Sequence, residues 1–88
     1  MSHRADTSRL KVGVGLATTR PGPVRIELYD LAGRRVRRLL DEASMAPGLH
    51  TITFDGRGDQ GERLTDDVYF YRVQAAERTA TGRFVIVR

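Results

Sequence analysis

The chain around positions 24–39 limits the fold more than any other stretch. Val24, Ile26 and Leu28 alternate with Arg25, Glu27 and Tyr29 before Asp30-Leu31-Ala32-Gly33 interrupts the pattern. A period of two puts the apolar side chains on one face and the polar ones on the other, as in a strand buried on one side. Asp30 opens the interruption as a backbone hydrogen-bond acceptor, and Gly33 ends it with the positive φ that a loop of this length needs. The unit is a β-hairpin whose second strand, Arg34-Arg35-Val36-Arg37-Arg38, carries arginine on its wet face. Val36 and Leu39 are three apart, so alternation slips once. Either a β-bulge near Arg37-Arg38 restores the inward face or the strand ends there.

Similar signals recur along the chain. Leu10, Val12, Val14 and Leu16 alternate with Lys11, Gly13, Gly15 and Ala17, which predicts a first strand. Its Gly-x-Gly lacks the third glycine, the following helix and the downstream acid of a dinucleotide loop. Glycines within a strand mark a bulge or a close backbone approach. Thr18-Thr19-Arg20-Pro21-Gly22-Pro23 is a turn, and positions 41–46 read as a polar connection with room for one helical turn. Pro47-Gly48 leads into a strand in which His50, Ile52 and Phe54 share one face and Thr51 and Thr53 the other. A long loop follows, Asp55-Gly56-Arg57-Gly58-Asp59-Gln60-Gly61-Glu62.

Val68-Tyr69-Phe70-Tyr71-Arg72-Val73-Gln74-Ala75 is the strongest strand by β-branched and aromatic content. Arg72 and Gln74 point outward, Tyr69, Tyr71 and Val73 point to the core, and three aromatics in a row read as core. The closing run, Arg83-Phe84-Val85-Ile86-Val87-Arg88, is apolar on both faces. Such a strand is ordinary in the middle of a sheet and unusual at a chain end. Either loops cover it or another chain reads its edge by strand addition.

Turn signals at intervals of roughly ten residues predict an all-β fold, an immunoglobulin-like antiparallel β-sandwich of about seven strands. It is expected over residues 9–88, with residues 1–8 as a disordered lead-in. At 88 residues and 40% hydrophobic content the chain supports one small core. No stretch approaches the roughly 20 apolar residues that span a bilayer. The polar N-terminus has no signal-type segment, so if the protein is exported its signal is expected on a longer precursor. The absence of cysteine excludes disulfides and thiol chemistry.

The net charge of +4 raises the question of nucleic acid, yet the basic residues are spread over most segments. The one cluster, at positions 34–38, has no recognition helix and no interleaved aromatics, and it reads as a solvated strand face. No nucleic-acid partner is expected. Nor is an enzyme: there is no nucleophile elbow and no phosphate loop, and the serines have no histidine and acid to orient them. Asp66 and Asp67 are sequence neighbours, and neighbours on an extended chain diverge. His50 reads as a hydrogen-bonded structural residue. Asp55 and Asp59, with Asp66 or Asp67, offer oxygen ligands for a looser calcium site, or simply Asx turns between strands; the EF-hand spacing is absent. No cofactor is expected.

From position 24 onward the order of motifs resembles the FlgD-type Ig-like domain of flagellar hook capping proteins. It is also similar to the C-terminal sorting domains of the type IX secretion system. The resemblance is carried by Leu28-Tyr29-Asp30 with Ala32-Gly33-Arg34, Pro47-Gly48 with His50, Phe54-Asp55-Gly56, Gly61, Val68-Tyr69-Phe70-Tyr71-Arg72-Val73 and the closing apolar run. It covers about three quarters of the chain. Asp66-Asp67 stand where that family often has Ser-Gly, so a positive φ borne by aspartate is expected there. The Asn-Pro-rich lead-in of sorting domains is missing.

The resemblance implies a non-catalytic C-terminal module of a larger exported bacterial protein, delivered to the cell surface or outside the cell. Its partners are expected to be the secretion machinery or neighbouring subunits, reached through the strand edge formed by Arg83, Phe84, Val85, Ile86, Val87 and Arg88, with Arg83 and Arg88 as flanking charges. A structural assembly module of an extracellular appendage is the alternative. A calcium-assisted or carbohydrate-binding accessory module is a weaker third.

Overall fold

The computed structural model describes residues 12–87, with side chains from Leu16 onward. The expected lead-in and Arg88 lie outside the described residues. Six strands follow one another: β1 (Val12–Thr18), β2 (Gly22–Tyr29), β3 (Arg35–Met45), β4 (Gly48–Phe54), β5 (Asp67–Ala75) and β6 (Thr79–Ile86). They form two antiparallel sheets, β3-β2-β5-β6 and β1-β4. The fold is the expected Ig-like β-sandwich, with six described strands where about seven were expected. There is no helix among the described residues, hence none long and apolar enough to cross a membrane.

The central hairpin forms through its turn. Asp30 Oδ1 accepts the backbone N–H of Ala32 and of Arg34, each at 2.9 Å, while Gly33 donates to the Asp30 carbonyl. Gly33 holds the positive φ of 82° that the turn requires. Beyond it the β2–β3 register shifts where Val36 and Leu39 enter β3, two irregularities that turn both side chains toward the core. Instead of ending there, β3 runs on to Met45, so positions 41–45 are strand and not a connection or helical turn. Their polar sequence follows from exposure at the sheet margin. In β1, by contrast, Gly13 and Gly15 sit in an unbroken register against β4, without a bulge.

Val24, Ile26 and Leu28 from β2 are buried as the alternation required. Leu28 joins Phe54, Leu64, Tyr69 and Ile86 in one cluster, against which Val36, Leu39, Tyr71 and Phe84 pack. Phe84 stacks on Tyr69 at 5.8 Å and meets Phe54 edge-on at 6.0 Å, tying β6 to both β5 and β4. Tyr69 keeps its hydroxyl satisfied by donating to the Thr65 carbonyl at 2.7 Å. Phe70, expected in the core with its neighbours, instead lies on the outer face and is exposed. No residue other than glycine has a positive φ among the described residues. Asp66-Asp67 therefore makes its turn without left-handed strain, and Asp67 Oδ1 accepts the Val68 N–H.

Candidate interaction edge

The four-stranded sheet has two margins, and the chain treats them differently. The β3 margin is covered at its Val36–Arg38 end by the 55–62 loop. Asp59 donates its N–H to the Val36 carbonyl at 2.9 Å, and its Oδ1 accepts the Arg38 N–H at 2.8 Å. Those bonds occupy backbone groups that would otherwise invite another strand. The loop is pinned further by Arg37, whose Nη1 donates to Asp55 Oδ1 and to the Arg57 carbonyl. Asp55 and Asp59 are thus turned to arginines and backbone amides. Among the described residues no group of three or more metal-ligating side chains gathers. His50, the other candidate, has Nε2 within 2.7 Å of the Ala46 carbonyl.

The β6 margin has no such cover among the described residues. Ala75 donates to the Arg78 carbonyl where the β5–β6 hairpin closes. Counting from that pair, the alternation of an antiparallel ladder turns the N–H and C=O groups of Ala80, Gly82, Phe84 and Ile86 toward β5. Those of Thr81, Arg83 and Val85 point away from the sheet. The residues expected to form the interaction edge are therefore of two kinds. Phe84 and Ile86 anchor the strand in the core, whereas Arg83, Val85 and Val87 are exposed, the two valines at 60% and 72%.

Behind that margin lies a cleft of about 650 Å³ between the sheets. Its walls include Leu16, Ala17 and Thr18 of β1 and Val73, Ala80 and Phe84 of β5 and β6, with Val85 and Val87 at its rim. The cleft has a geometric cause. At ~4.8 Å per strand, two strands span ~10 Å and four span ~19 Å, so the smaller sheet cannot cover the larger one's inner face. One end is clamped by Glu77 in the β5–β6 turn. Its carboxylate accepts the Thr19 hydroxyl and N–H, both at 2.7 Å, and the Arg20 N–H at 3.0 Å. The Thr19 hydroxyl and amide, followed by the Arg20 amide and charge, hold the Glu77 carboxyl below its ordinary range.

The outer face of the same sheet is organised around a residue that sequence reading placed in solvent. Glu27 is buried, its side chain 6% exposed, beneath Arg35, Arg38 and Arg72. Its Oε1 accepts the Tyr29 hydroxyl at 3.0 Å and Arg72 Nη2 at 3.2 Å; its Oε2 accepts Arg35 Nη1 at 3.2 Å and Arg38 Nη2 at 3.3 Å. Burial alone pushes this carboxyl up, but the Tyr29 hydroxyl and the three guanidinium groups outweigh it and hold it at about 2. Tyr29 moves the other way, raised by burial and by its bond to the Glu27 carboxylate. Arg72 also lies over the Tyr29 ring, 5.4 Å from its centre. The arginine cluster at 34–38 is thus largely engaged by the protein's own acids: Arg34 with Asp30, Arg35 and Arg38 with Glu27, Arg37 with Asp55. The sequence signal for the cage was an acid at an outward strand position facing an arginine run across a tight hairpin.

Among known proteins, no family model and no curated protein matches the chain. A solved structure that resembles it is FlgD from P. aeruginosa, with a TM-score of 0.62 at 19% identity over 93% of this chain. The chain spans 64% of the length of that FlgD chain. The likeness is one of fold, and it agrees with the FlgD-type sandwich that the motif order resembles.

Proposed function

We propose that the chain is a non-catalytic Ig-like module of a larger exported bacterial protein, read by another protein through backbone pairing along β6. The observation that carries this reading is the asymmetry of the four-stranded sheet. One margin is occupied at Val36 and Arg38 by the 55–62 loop, while Thr81, Arg83 and Val85 point their backbone groups outward at the other. In this reading the module serves type IX sorting and cell-surface anchoring, and the export machinery supplies the pairing strand. The FlgD-like fold favours a second setting, an assembly module in an extracellular appendage whose pairing strand comes from a neighbouring subunit.

Val85→Pro in the parent protein tests the reading. Val85 sits at an edge position where its N–H is outward, so proline removes a group needed for strand addition while sparing the β5–β6 ladder. Loss of surface delivery with an unchanged melting temperature supports sorting. Normal delivery with loss of the assembled appendage supports the second setting. Delivery and assembly both unchanged would refute edge pairing.

A further inference from the structure

We infer that the strand received by β6 is amphipathic in a defined sense: alternate apolar side chains enter the inter-sheet cleft, and a carboxylate on the opposite face meets Arg83. This rests on the edge-pairing reading and adds the chemistry of the partner. A strand laid beside β6 must alternate as β6 does. Opposite Gly82 and Phe84 its side chains point to the inner face, where the cleft is walled by Leu16, Ala17, Val73 and Ala80. Opposite Arg83 they point to the outer face.

Charge complementarity selects the acid. Arg35, Arg38 and Arg72 are held by Glu27, and Arg25 by Asp41, whereas Arg83 has no carboxylate partner among the described residues. The polar run at positions 1–9 lacks the alternating apolar residues such a strand needs, and the occupant we assign is a segment of another protein.

The test titrates the full chain with capped eight-residue peptides, matching the eight residues of β6, followed by NMR of the protein amides. One peptide alternates valine with glutamate, a second valine with lysine, and a third has the first composition scrambled. The valine–glutamate peptide is expected to shift Arg83, Val85 and cleft resonances and to bind roughly tenfold tighter than the lysine form. Arg83→Glu should reverse that preference. Ala80→Trp, or Leu16→Trp from the opposite wall if the first variant melts early, should fill the cleft and abolish binding. Capture that is blocked by Val85→Pro but indifferent to peptide charge and cleft filling overturns this inference and leaves edge pairing standing. Binding that survives Val85→Pro overturns edge pairing itself. Absence of peptide binding overturns the inference, as does a dimer of the free chain that Val85→Pro dissolves, which would make a second copy the occupant.

Discussion

Replacing Glu27 by glutamine removes one negative charge from beneath three guanidinium groups and leaves the side-chain volume nearly unchanged. The carboxyl is held at about 2 against an ordinary 4.5, a difference that corresponds to roughly 3 kcal/mol of stability at neutral pH. The arginines above it are 41%, 39% and 43% exposed and share the interaction with water, which reduces the expected loss to about 2 kcal/mol. For a domain of this size that lowers the melting temperature by roughly 8–16 °C. The sign with pH is fixed: the folded-state value lies below the unfolded one, so the contribution is complete above the unfolded value and drains as pH falls toward about 2. Urea unfolding of wild type and Glu27→Gln at several pH values reads this directly. The gap between them should be widest near neutrality, shrink below the unfolded value and close only as pH approaches about 2. A gap under about 0.5 kcal/mol at pH 7, or one that does not change on acidification, would refute the cage as a source of stability.

Three other substitutions probe separate parts of the account. Ile26→Ala, at a residue 1% exposed, should cost about 2–5 kcal/mol in equilibrium unfolding. Gly33→Ala meets no neighbouring atom but must adopt a φ of 82°, so a loss of about 1 kcal/mol should come from backbone strain alone. Glu77→Gln weakens the clamp across the cleft end, and amide exchange at Thr19 and Arg20 should accelerate while that of the β2 core is unchanged.

What the sequence disclosed is what short-range chemistry controls. The Asp30–Gly33 turn, the inward set of β2 and the division of faces in β4 each follow from residues a few positions apart. The continuation of β3 to Met45 was hidden because a strand at a sheet margin is paired on one side only and keeps polar residues on its exposed faces. Glu27 was read as solvated because its alternation with Ile26 and Leu28 is genuine; what buries it is Arg35 and Arg38 from β3 together with Arg72, brought alongside by the β2–β5 pairing. The cover over the β3 margin likewise depends on Asp59 reaching Val36 and Arg38 across the fold. Phe70 was assigned to the core by its company, although strict alternation with Tyr69 and Tyr71 already placed it outward. The two apolar faces of the last strand were visible, but only the sheet order put that strand at a margin.

Amide hydrogen exchange along β6 in the isolated chain tests the working edge most directly. Gly82, Phe84 and Ile86, bonded toward β5, should exchange slowly, and Thr81, Arg83 and Val85 between them should exchange fast. Uniformly slow exchange through all six would mean that the edge is already paired, contradicting the account.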